Sequence, residues 1–159
     1  MKYTTKAIAP PTRQEIQRMQ EGFKVQYPQD YLDFVQEDNG GVPINRFFDT
    51  VNNIKVVDRF LPMMDDPNAD HAHGQYEVEV VWSQINDRLG EDPDEIGSQL
   101  IPIACLEFGD MVCLDFRKNP KTPEICVWYH DQSEEYKPVT EKIANSFTEF
   151  LGKLKPLEP

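Results

Sequence analysis

The sequence predicts an α+β fold, with helices at both ends packed on a central, mostly antiparallel sheet. Three observations carry this. The N-terminal segment places apolar residues at helical spacing, first at Ile16, Met19 and Phe23, then at Tyr31, Phe34 and Val35. The middle of the chain alternates short β-branched and aromatic runs with clusters of turn formers. The C-terminal segment returns to helical spacing. Helices segregated around a run of strands argue for α+β.

Residues 1–11 read as an N-terminal arm ending in Pro10-Pro11, and residues 12–156 as a single domain. Thr12 is a candidate N-cap, with Glu15 as its capping-box partner. The first helix buries the Ile16, Met19 and Phe23 stripe and ends between Gly22 and Pro28. Pro28 suits the first position of the second helix, where its missing N–H costs nothing. Asp30 places negative charge in that helix's first turn. Asn39-Gly40-Gly41 tolerates positive φ and ends the helix, and Pro43 blocks continuation.

From Val42 the pattern changes to strands. Ile44 to Phe48 and Val51 to Val57 predict a hairpin turning near Asp49-Thr50, with Phe60 to Met63 as a strand end or loop entry. Residues 64–75 are a polar loop without periodicity. Residues 76–82 also alternate and are β-branched, so a strand competes there; a helix from Tyr76 to Leu89 is the expectation. A second acidic loop runs from Gly90 to Gly97. Three strands follow, Leu100 to Cys105, Met111 to Phe116 and Ile125 to Tyr129. Gly109-Asp110 turns between the first two, and residues 119–123 loop between the last two. A closing helix is expected from Thr140 to Leu154, burying Ile143, Phe147, Phe150, Leu151 and Leu154, with Pro156 as its stop.

A length of 159 residues fits one domain, and 39% apolar with 11% aromatic content predicts a folded chain. No apolar run approaches the roughly 20 residues of a membrane helix. Residues 1–6 lack the apolar core of a secretory signal, so a cytoplasmic protein is expected. The net charge is −12 and uneven: residues 1–59 balance to zero, residues 60–135 carry −13, and residues 136–159 carry +1. Such a balance disfavours direct nucleic-acid binding, which needs clustered Lys and Arg. It favours a basic protein partner, while also serving solubility.

Few residues suggest chemistry. Cys105, Cys113 and Cys126 fall on predicted strands without a C-x-x-C pair, so they read as small buried residues in a reducing compartment. His71 and His73, with Asp65, Asp66 and Asp70 nearby, or with His130, offer a conceivable metal site and a metal-dependent hydrolase, but no ligand motif supports it. The two acidic loops lack the register of a calcium loop. Nucleophile and phosphate-binding motifs are absent, so neither catalytic residues nor a cofactor or metal is expected. Trp82 and Trp128 read as core residues, with Trp128 sharing a strand face with Cys126 and His130.

Four segments in order resemble the SUKH superfamily, which includes the yeast cell-wall-synthesis regulator domain and many bacterial proteins. They are Tyr27-Pro28, Tyr31 and Phe34 leading to Asn39-Gly40-Gly41; Leu100 to Ala104 with Phe108-Gly109-Asp110 and Val112 to Phe116; Ile125 to Asp131; and Ala144 to Leu151. One departure is Phe108, where the family usually has glycine. The resemblance implies a non-catalytic binding domain. Bacterial members are largely immunity proteins, or antitoxins, that neutralise a polymorphic toxin, often a basic nuclease domain. A regulatory scaffold, as in yeast members, is the alternative; the compact length weighs against it. Charge placement makes Asp65, Asp66, Asp70, Glu91, Asp92, Asp94 and Glu95 the expected partner-binding residues.

Overall fold

The computed structural model describes residues 8–70, 72–94 and 100–157. Helix α1 (Arg13–Phe23) begins with the expected capping box. Thr12 Oγ1 accepts from the Glu15 N–H at 3.1 Å, and the Glu15 carboxylate accepts from the Thr12 N–H at 3.2 Å. Helix α2 (Gln29–Glu37) starts one residue later than the sequence suggests. Pro28 is its N-cap, extended at ψ 149°, while its carbonyl already accepts from the Leu32 N–H. Tyr31, Phe34 and Val35 are buried on one face of α2, as their spacing requires.

Asn39 fastens the end of α2 to the sheet. Its side chain accepts from the Met63 N–H at 2.9 Å and donates to the carbonyls of Met63 at 3.0 Å and Ala9 at 2.8 Å. Gly40 follows at φ +83°, where a Cβ would lie 3.1 Å from the Pro62 ring. Positive φ and this close approach both call for glycine.

Six antiparallel strands form one sheet in sequence order: β1 (Phe47–Asp49), β2 (Ile54–Phe60), β3 (Leu100–Leu106), β4 (Met111–Asp115), β5 (Glu124–Trp128) and β6 (Thr140–Ala144). The first hairpin turns at residues 50–53, slightly beyond the expected Asp49-Thr50. Residues 76–89 contain the expected helix, as α3 (Val78–Ile85) with 3₁₀ turns on either side. The closing helix is a correction. Its first part, residues 140–144, is β6, paired along β5 from Ile125↔Ala144 to Trp128↔Thr140, and only α4 (Phe147–Lys153) is helical. Backbone pairing with β5 overrides the helical register between Ile143 and Phe147.

Strand alternation divides the interior into two clusters. Val112, Leu114, Ile125 and Val127 join the aromatic core beneath α2 and α4, where Phe147 meets Tyr31 at 5.2 Å and Phe34 at 4.9 Å between ring centroids. On the opposite face, Cys113, Cys126 and Trp128 pack with Leu89 and Leu100. Trp128 is fully buried and donates to the Arg88 carbonyl at 3.0 Å; Trp82 is only half-buried and meets Phe23 edge-on.

A six-stranded meander puts alternate connections at opposite ends. The β1–β2 turn, the β3–β4 turn and the β5–β6 connection share one end. The long β2–β3 connection, which carries α3 and both acidic loops, leaves and re-enters the sheet at the other.

Candidate functional site

The acidic residues expected to bind a partner lie on either side of α3. In the first loop, Asp66 caps a 3₁₀ turn by accepting from the Asn68 N–H at 3.1 Å. Asp65 is exposed, 3.8 Å from Arg18. Asp70 is half-buried and faces its own chain, accepting from the N–H groups of Ala72 and His73. The His73 backbone bond is the main cause holding its carboxyl below the usual range. In the second loop, Glu91 pairs with Arg117 at 3.1 Å, and Asp92 accepts from the Asp94 N–H at 2.9 Å. Glu91, Asp92 and Asp94 are exposed. Glu95 lies outside the described residues, as does His71. Residues 78–88, α3 and the 3₁₀ turn that follows it, lie between the two loops in the chain.

The two described histidines, His73 and His130, do not converge. His73 Nδ1 contacts Asp70 at 3.1 Å, whereas His130 groups with Asp110 and Asp131. The latter three could approach one ion, but both Asp110 oxygens are occupied. One accepts from Lys55 Nζ at 2.8 Å and the other from the His130 N–H at 2.9 Å. A metal there would face the Lys55 ammonium, so the local charge balance favours the ion pair.

Asp110 instead organises a feature that the sequence did not announce. At the end of the sheet where three connections meet, a groove of about 540 Å³ is lined by residues including Val51, Lys55, Phe108, Asp110, Tyr129 and Glu141. Its walls are braced from several strands. Glu141 accepts from the Val51 N–H at 3.0 Å and from the Tyr129 hydroxyl at 2.8 Å. Burial, then this bond to Glu141, pushes the Tyr129 hydroxyl up to about 12. Gly109 sits at φ +96°, where a Cβ would meet the His130 ring at 3.1 Å. Beside it Phe108 adopts φ +71° and is 92% exposed. The available sequence signal was the departure itself: a bulky residue where a left-handed turn favours glycine.

The described residues with strongly shifted titration offer no activated nucleophile. Burial pushes the Cys105 thiol up to about 11 and drives those of Cys113 and Cys126 well above the ordinary range, the reverse of what thiolate chemistry needs. Glu77 is pushed up to about 7, chiefly by burial, but is 1% exposed and capped against its own backbone. No helix among the described residues is long and apolar enough to cross a membrane.

The sheet thus carries the acidic loops at one end and the groove at the other. The family described as SUKH_6, SMI1-KNR4 cell-wall, matches residues 13–151. The chain therefore belongs to the SUKH superfamily, generally a non-enzymatic domain of immunity and regulatory proteins. No curated protein and no solved structure matches it.

Proposed function

We propose that this SUKH domain is an immunity protein that acts in the cytoplasm, binding and neutralising a cognate toxin domain of basic, nuclease type. The observation that carries the reading is the charge of −13 over residues 60–135, with Asp65, Asp66, Glu91, Asp92 and Asp94 exposed. Carboxylates displayed on loops steer a basic partner into encounter and can occlude a surface built for phosphate. The contact set is Asp65, Asp66, Asp70, Glu91, Asp92, Asp94 and Glu95. Within it, Asp70 also holds its loop in shape by accepting from the Ala72 and His73 N–H groups.

The test takes as candidate toxin the C-terminal domain of the product of the neighbouring reading frame. Reversing Asp65, Asp66, Glu91, Asp92 and Asp94 to lysine should weaken binding at least roughly a hundredfold, since close charge pairs couple by several kcal/mol across such interfaces. The same variant should fail to protect cells expressing the toxin. Undiminished affinity and protection would reject the acidic interface.

A further inference from the structure

We propose that the groove at the β1–β2, β3–β4 and β5–β6 end of the sheet docks an arginine presented on an extended segment of a partner protein. The proposal rests on the chain being a binding domain, but not on the partner being a toxin. Two of the large apolar side chains exposed among the described residues, Val51 at 84% and Phe108 at 92%, line the groove. They come from two separate connections, β1–β2 and β3–β4, which the fold brings to one end of the sheet. Phe108 is the centre of the case. Its left-handed backbone is unfavourable for a bulky residue, and its ring is almost wholly in water. The folded domain gains little from the ring, which leaves it available to a partner.

The charges beside the ring select the occupant. Lys55 is tied to Asp110 at 2.8 Å, which neutralises that pair. Asp131, with its side chain 75% exposed, and Glu141 leave the lining net negative. A guanidinium fits this combination because it stacks flat on an aromatic face while its edge N–H groups reach carboxylates. Asn52, Asn53 and Gln132 add amides that can pair with the segment's backbone. The groove's volume is in the range that holds a side chain with its flanking backbone.

The probe is the peptide acetyl-Leu-Arg-Leu-amide, titrated into the ¹⁵N-labelled protein and followed by NMR, with acetyl-Leu-Glu-Leu-amide as control. The arginine peptide should shift amides confined to residues 51–55, 108–110, 129–132 and 139–141, saturating at roughly millimolar concentration. The glutamate peptide should shift none of them. Phe108→Gly should weaken the arginine peptide roughly fivefold while unfolding at no lower temperature than the parent, because glycine suits φ +71°. Asp131→Asn, at an exposed position, should weaken it as well and serves if the glycine variant misfolds. Absence of shifts, equal shifts with both peptides, shifts centred elsewhere, or parental affinity in folded variants would each overturn the proposal. An intact groove response alongside failed toxin binding would reject only the immunity reading, whereas retained toxin binding with a silent groove would reject only this one.

Discussion

Glu77 stands at the N-terminus of α3 with 1% of its surface exposed, and its carboxylate accepts from the N–H groups of Glu79 at 2.8 Å and Val80 at 3.1 Å. Burial raises it from 4.5 to about 7 despite those bonds, and Glu79 adds repulsion. Its other oxygen has no hydrogen-bond partner among the described residues, nor do the buried hydroxyls of Tyr27 and Tyr31. Between pH 4.5 and 7 the folded state binds more protons at Glu77 than the unfolded state does. The stability linked to this group is therefore present at low pH, declines across that window, and levels off above it. Glu77→Gln keeps an oxygen for capping and removes the titration. It should raise stability at pH 8 on the order of 2 kcal/mol and flatten the decline, as read from urea unfolding at pH 5 and pH 8. An unchanged slope would show that the group stays ionised when folded. None of this is legible in the sequence, where Glu77 is one carboxylate among many; its burial follows from where α3 meets Pro62, through the Val78 N–H to Pro62 carbonyl bond.

At the scale of elements, legibility followed locality. The capping box at Thr12 and the face of Tyr31, Phe34 and Val35 depend on neighbours within a turn, and both appear as expected. β6 depends on β5 across a long connection, and there the helical spacing misled. A local signal was nonetheless available. Ser146 Oγ accepts from the Glu149 N–H at 3.1 Å, the S-x-x-E pattern of a helix start, which places the start of α4 after β6. Two contributions to α4 can be separated by size. Ser146→Ala should cost about 1 kcal/mol, the usual value of a lost cap. Phe147→Ala should cost about 3–5 kcal/mol, because the ring contacts Tyr31, Phe34, Phe60 and Phe150 at once. Chemical denaturation of both variants checks the ranking; comparable losses would mean that α4 is held by its cap more than by its aromatic face. The same contrast explains the Tyr31 and Phe34 motif: it serves the seam between α2 and α4, while the exposed surfaces lie elsewhere.

At the scale of the whole molecule, much of the negative charge sits on exposed loops rather than in the apolar clusters. The residues 60–135 that hold −13 include the exposed loops around α3, and the two faces of the sheet are closed by apolar clusters. Two electrostatic effects then compete when salt is added. Surface ion pairs such as Arg18–Glu79 and Arg117–Glu91 weaken, but each is worth at most about 1 kcal/mol and often nothing measurable. Repulsion among the uncompensated carboxylates weakens too, and it acts over the whole surface within a Debye length of roughly 10 Å at 0.1 M salt. With a net charge of −12 the second effect outweighs the first, so screening stabilises the fold. Raising sodium chloride from about 0.01 to 0.3 M should increase Tm by a few degrees in a calorimetric scan at pH 7.5, since the Debye length falls severalfold over that interval. The same screening should slow association with a basic partner, because steering depends on the unscreened field. Opposite responses to one variable separate the two roles of the charge: a Tm that fell with salt would place the carboxylates in stabilising networks, and an association rate indifferent to salt would remove them from partner encounter.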